Sequence, residues 1–242
     1  MAASISVFEH EPDLLISVSR TEVARARKAG IAPLLALERG PWVKTPTRPS
    51  DSRHLGHLVI DGLLSYRVEV GGRESIELVG PGDVLRPWVE LNELSIPVEV
   101  RWHVEAAARL AVLDPGFARR ITAWPEVVAA LMDRLTLRVR WLATELAVSS
   151  ARRVDTRLLL ALWYCADRWG KVTPAGVAVR LPLTHELLAE IIGARRPSVS
   201  AAAAELERQG RLARLPERGW VLFGEPPATV ESLEKQLERE GV

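Results

Sequence analysis

Near Trp124 the spacing of apolar residues changes period, and that change limits what this chain can fold into. Upstream, Leu64, Tyr66, Val68 and Val70 alternate with Ser65, Arg67 and Glu69, the period of a half-buried strand. Downstream, Trp124, Val128, Leu131, Leu135, Val139, Leu142 and Leu146 recur every three or four residues, the period of a helix. A β-rich first part is therefore followed by a helical second part. The 242 residues exceed what one small domain needs, and 48% apolar residues are enough for more than one core.

The β-rich part is punctuated by turn signals. The segment His54–Asp61 runs into Asp61-Gly62, and Gly71-Gly72 marks a tight hairpin. Ile76, Leu78 and the turn Gly80-Pro81-Gly82-Asp83 follow, then strands over Val98–Val104 and Ala108–Leu113. Short strands with Gly and Pro turns predict a small barrel or jelly roll. The first 50 residues show only an amphipathic stretch at Thr21–Ala29 and a Pro-rich connection at Pro41–Pro49.

Pro125 suits the first turn of the long helix, and Arg134, Arg138, Arg140 and Glu145 lie off its stripe. Such a stripe packs on its own barrel or on the same helix of a second subunit, and the seam-like spacing favours the second. A polar hinge at Ser149–Asp155, a helix over Thr156–Trp169 and a loop through Gly170 and Thr173-Pro174 come next. From Pro226-Pro227 the tail reads as a solvated short helix or a fraying end.

Several classes are excluded. No apolar run is long enough for a transmembrane helix, and the stretch Met1–Glu11 lacks the pattern of a secretory signal. The single cysteine, Cys165, sits in the apolar run Leu158–Cys165 and is expected as a buried core thiol. It cannot form an internal disulfide or a multi-cysteine metal site, so a reducing cytoplasm is the expected home. The net charge of +1 is uneven: residues 151–225 carry 12 Lys and Arg against 8 Asp and Glu. A mildly basic segment fits a polyanion-binding module.

The run Leu183 to Phe223 carries the function. Thr184 is a good N-cap for a helix over His185–Ile192, and Gly193 stops it. A second helix begins near Arg196, where Pro197 is tolerated because first-turn N–H groups have no helical partner. Val199, Ala202, Ala203 and Leu206 form its inner face, and it ends at Gly210. Two helices joined by so short a turn have helix-turn-helix spacing. Leu212–Leu215 and Trp220–Phe223 then read as strands around the turn Pro216-Glu217-Arg218-Gly219, a wing.

The start of the second helix directs unpaired N–H groups outward and favours phosphate. Arg195 and Arg196 stand there, Ser198 and Ser200 add hydroxyl donors, and Thr184 begins the neighbouring helix. Arginine reaches guanine O6 and N7 in the major groove, and a small residue such as Ala201 can meet a thymine methyl. Arg211, Arg214 and Arg218 on the wing can hold backbone phosphates. The candidate DNA-binding residues are Thr184, Arg195, Arg196, Ser198, Ser200, Ala201 and Arg218.

The run LTHELLAEIIGARRPSVSAAAAELERQGRL resembles the C-terminal domain of the Crp/Fnr family of bacterial regulators. HLVIDGLLSYRVEVGGRESIELVGPGDVL is similar to that family's cyclic-nucleotide-binding-like barrel, and the striped helix lies where the family has its dimerisation helix. The resemblance implies an α+β fold. Residues 1–115 would form a β jelly-roll (double-stranded β-helix) sensor barrel, 116–150 a long dimerisation helix, and 151–242 a winged helix-turn-helix with a charged tail. It also implies a homodimer on double-stranded DNA, with RNA polymerase as a further partner and no membrane. Arg196 matches a base-contacting arginine of the family, and Arg195 and Ser198 match phosphate-contacting positions. Pro197 stands where many members place a base-reading glutamate. Ala201 stands where the cyclic-AMP-binding member has a second base-reading arginine, so the target differs.

The sensor half departs from the family. After Gly82-Asp83 the chain has Glu90-Leu91 without a preceding glycine, and Arg101 is followed by Trp102 rather than by Ser or Thr and Ala. A buried phosphate needs an arginine or a cluster of N–H groups, so cyclic AMP is not expected as a ligand. No cofactor is expected, and a small-molecule effector is left open, with Trp88 and Trp102 as lining for an apolar pocket or as core. No nucleophile elbow or P-loop is present, and no enzyme is expected. The alternative is a metal-dependent cupin-like barrel enzyme with a helical appendage. His54 and His57, three apart on a strand, would point to opposite faces, leaving His103 to join one of them.

Overall fold

The computed structural model describes residues 3–43, 53–88, 95–216 and 218–227, together with 230, 233, 234 and 237. Glu90-Leu91, most of the Pro41–Pro49 connection and Glu217 of the wing turn lie outside the described residues. The chain forms two units, residues 1–73 with 77–140, and residues 74–76 with 141–242.

The first unit opens with β1 (Ser4–Ser6), α1 (Val7–His10), a 3-10 turn (Pro12–Leu15), α2 (Val23–Ala29), β2 (Ile31–Leu37) and β3 (Gly40–Pro41). It continues through β4 (Gly56–Val70), β5 (Arg73–Val79), β6 (Val84–Leu85), β7 (Val98–Leu113) and α3 (Pro115–Ile121) into α4 (Pro125–Ser149). The sheet order is β1-β2-β7-β4-β5, with β3 on β7 and β6 on β4. Residues 31–41 are therefore part of the barrel: β2 pairs with β7 from Leu34↔Ala111 to Leu37↔Ala108, and β3 pairs with β7 at Gly40 and Pro41. Their elements are too short to show a period in the sequence.

Two expected boundaries are corrected. Asp61-Gly62 is not a turn, because β4 runs through it with register shifts between Val59 and Leu64. Gly62 has φ +91°, and a Cβ there would lie 2.4 Å from Ala108 Cα. Glycine inside a strand marks a bulge or a close backbone approach as well as a turn. Likewise Val98–Val104 and Ala108–Leu113 are one strand, β7. Glu105 interrupts the apolar alternation, but it is paired in place by Ser65 Oγ at 2.7 Å and Arg67 Nη2 at 3.1 Å. The Gly71-Gly72 hairpin and the Gly80–Asp83 turn form as expected, the latter closed by Asp83 N–H to Gly80 O at 3.0 Å.

The predicted stripe of α4 divides. Trp124 and Leu131 of the stripe are buried with Phe8, Phe117 and Ile121 in the first unit's core. Val128 and Leu135 are only partly buried against it, and Val127, outside the expected stripe, is buried in place of Val128. Val139, Leu142 and Leu146 are 67%, 40% and 75% exposed. Arg134 and Arg138, read as off the stripe, face the barrel: Arg134 Nη1 donates to Gly82 O at 3.0 Å, and Arg138 Nη2 to Glu77 Oε2 at 2.7 Å.

The second unit holds α5 (Val154–Trp169), β8 (Lys171–Thr173), β9 (Gly176–Val179), α6 (His185–Ile191), α7 (Arg196–Arg208), β10 (Leu212–Arg214) and β11 (Trp220–Leu222). The expected loop at Thr173-Pro174 is the turn of a hairpin, and the wing sheet has the order β10-β11-β9-β8. Cys165 is buried on α5, and burial pushes its thiol up to about 12. Leu233 and Leu237, expected on a solvated tail, are each 1% exposed. Among the described residues no helix is long and apolar enough to cross a membrane.

Candidate nucleic-acid interface

Local signals set α6. Thr184 Oγ1 accepts from the Leu187 N–H at 3.1 Å, so the expected cap forms. The helix closes with Gly193 N–H to Glu190 O at 3.3 Å and Ala194 N–H to Ala189 O at 2.8 Å, a Schellman turn. Gly193 takes φ +59°, which a residue with a Cβ adopts only under strain. From behind, Arg157 Nη1 on α5 donates to Ile192 O at 2.9 Å and so anchors the turn. Sequence reasoning missed Arg157, because its partner lies 35 residues away and leaves no local mark.

The second helix, α7, buries Val199, Ala202, Ala203 and Leu206 in the second unit. It exposes Arg195, Arg196, Pro197, Ser198, Ala201 and Ala204. Among the described residues Arg195 and Arg196 make no ion pair, and their charge faces solvent. Thr184 is exposed at the start of α6, and Arg218 is exposed on the wing. Ser200 is placed differently from the expectation. It is half-buried, and its Oγ lies 2.9 Å from His185 Nδ1, so the hydroxyl read as a phosphate donor is engaged against α6.

Behind that contact the wing is tied in. The His185 ring stacks on Trp220 at 5.7 Å, and Trp220 Nε1 donates to Leu183 O at 3.0 Å. Burial, and then the Arg214 charge, lowers the His185 pKa, so the imidazole is neutral at neutral pH. The Arg214 guanidinium lies 4.3 Å over the Trp220 ring. Arg208, at the far end of α7, is ion-paired with Glu205.

The barrel histidines are arranged otherwise than expected. His54 precedes β4, so the two-face argument does not hold, and its ring stacks on His57 at 5.6 Å. His57 is buried, with the Trp88 ring 5.4 Å and the Trp42 ring 6.4 Å away. Burial, with His54 beside it, lowers its pKa to about 4. His103 Nδ1 lies 3.1 Å from Glu105 Oε1. Among the described residues no three His, Cys, Asp or Glu are grouped to hold a metal, so the metal-enzyme reading has no ligand set there. Trp102 is core, 4.8 Å from Tyr66 and 6.0 Å from Trp42.

A tight helix-turn-helix with a cationic helix start and a basic wing make a winged-helix domain, which follows the jelly-roll barrel in the sequence. Residues 156–223 match the family model of the Crp-like helix-turn-helix domain. The chain is 27% identical over 171 residues to the regulatory protein CysR of Synechococcus elongatus, covering 68% of this chain and 75% of that one. A CooA variant from Carboxydothermus hydrogenoformans superposes with TM-score 0.60 at 17% identity over 98% of both chains. FixK2 from Bradyrhizobium japonicum does so with TM-score 0.58 at 17% identity, over 84% of this chain and 96% of its own. Residues 156–223 are thus similar to a Crp-like helix-turn-helix domain, and the chain is similar over two thirds of its length to a regulatory protein.

Proposed function

We propose that the protein is a homodimer that binds specific duplex DNA by inserting α7, from Arg196 onward, into the major groove. The observation that carries this reading is the exposed start of α7, with Arg195 and Arg196 unpaired among the described residues. A helix start of this kind attracts phosphate, and arginine adds directional contacts to guanine. Ser198 and Arg218 join as phosphate contacts, Thr184 lies at the edge of the same face, and Ala201 faces the bases. Dimerisation is supported by α4, where Met132, Val139, Leu142 and Leu146 are exposed and, with half-buried Leu135, follow the three-four spacing of a coiled-coil seam. RNA polymerase in the cytoplasm is the partner such a regulator acts on.

The barrel is read as a sensor that does not take cyclic AMP. Its sequence lacks the arginine element that a buried phosphate demands. Around β4 and β7 its core is apolar and aromatic, with Trp42, Leu64, Leu85, Trp102 and Leu110.

Electrophoretic mobility shift on the DNA upstream of the protein's own gene tests the reading. The wild type binds duplex in a salt-sensitive manner. Replacing Arg195 and Arg196 together by Ala weakens binding and lowers the slope of log K against log salt by about 2. Absence of salt-sensitive binding, or binding indifferent to the double replacement, overturns it.

A further inference from the structure

Resting on the reading of α7 as the recognition helix, we propose that this protein reads its target chiefly through thymine methyl groups packed on Ala201 and Ala204, with Arg196 as its hydrogen-bonding base reader. The outward centre of α7, opposite buried Val199, Ala202, Ala203 and Leu206, is formed by Pro197, Ala201, Ala204 and Arg208. The first three have no side-chain donor or acceptor.

Beyond the first turn, two polar side chains next to this surface have partners within the second unit. Ser200 Oγ lies 2.9 Å from His185 Nδ1. Arg208 is held by Glu205, which also accepts from Gln209 Nε2 at 2.7 Å. What α7 offers the floor of a groove beyond its first turn is therefore a smooth surface of methyl groups. The groove carries one chemical partner for such a surface: thymine alone presents a methyl group there. The small side chains also let the helix approach the base edges closely. The charge that brings DNA to this helix is carried by exposed Arg195 and Arg196 at its start and exposed Arg214 and Arg218 on the wing.

Helix geometry sets the register. At about 1.5 Å per residue, Ala201 lies about 7.5 Å and Ala204 about 12 Å along the axis from Arg196. With base pairs spaced about 3.4 Å apart, the two alanines sit about two and about three to four base pairs from the guanine under Arg196. A half-site thus combines one guanine with thymines at those steps, on either strand.

The test exchanges thymine for deoxyuridine, which deletes the methyl group and keeps base pairing. The probe is a duplex selected from a random pool by the wild-type, full-length protein. Each thymine is replaced in turn, and affinity is measured by fluorescence anisotropy. Removing one buried methyl contact lowers affinity about fourfold, and we expect this loss at the steps under Ala201 and Ala204. In Ala201→Gly and Ala204→Gly proteins the same exchanges become silent at the matching step. Each variant is compared with its own thymine duplex, so any loss of helix stability cancels. Deoxyuridine without effect at every position, or an effect that persists in both glycine variants, overturns the inference. In those cases loss of binding in Arg196→Ala still upholds the DNA-binding reading. If the wild type selects no duplex, the DNA-binding reading falls, and this inference with it.

Discussion

His57 is 2% exposed, and its Nδ1 has no hydrogen-bond partner among the described residues. Folded, it titrates at about 4, against 6.5 for an ordinary histidine, because burial disfavours the cation. As pH falls below 6.5 the unfolded chain takes up a proton that the folded unit refuses. Stability that is full above 6.5 is therefore lost progressively toward pH 4, by about 3 kcal/mol. Urea unfolding at pH 7 and pH 4 checks this: the wild type should lose about 3 kcal/mol more than His57→Phe, and equal losses would rule it out. The same scale shows what a sequence conceals. Ser200 looked like a free donor at a helix start, but His185, 15 positions earlier, engages it. Thr184 was legible because its cap partner, Leu187, is three residues on.

Among the elements, α6 and α7 were read nearly to the residue, since capping, the Gly193 stop and the Pro197 start are local signals. The long helix was legible in period but not in partners. Arg138 was read as off the stripe, yet it ties α4 to Glu77, whose side chain is 7% exposed. Removing one member of a buried pair strands the other charge, at a cost of about 3 kcal/mol. Arg138→Ala should thus destabilise the first unit by about that amount in thermal unfolding. Arg138→Met with Glu77→Leu should recover most of the loss. An unchanged midpoint in Arg138→Ala would show the pair to be dispensable. The merged strands β4 and β7 have the same lesson: Gly62 and Glu105 interrupt a one-dimensional pattern, whereas cross-strand pairing carries the chain through them.

For the molecule as a whole, the order of barrel, long helix and winged helix-turn-helix followed from the change of period at Trp124 and the signals around Gly193. The N-terminal strands did not, because β2 gains its meaning only from pairing with β7, more than seventy residues later, and β1 only from pairing with β2. The exposed half of the α4 stripe belongs to this scale, since the proposed homodimer pairs it with a second copy of the chain. Val139→Glu with Leu142→Glu places like charges in that seam. Sedimentation should show a dimer in the wild type and a monomer in the double variant, and a variant that sediments as the wild type does would place the contact elsewhere. The two faces of α7 are chemically separate: Val199, Ala202, Ala203 and Leu206 hold it in the core, and Pro197, Ala201 and Ala204 look out. Such a helix behaves as an exchangeable cassette. Under the proposed reading of α7, substitutions at the outer positions rewrite which DNA sites a descendant protein recognises, while the inner positions keep its folding untouched by the change.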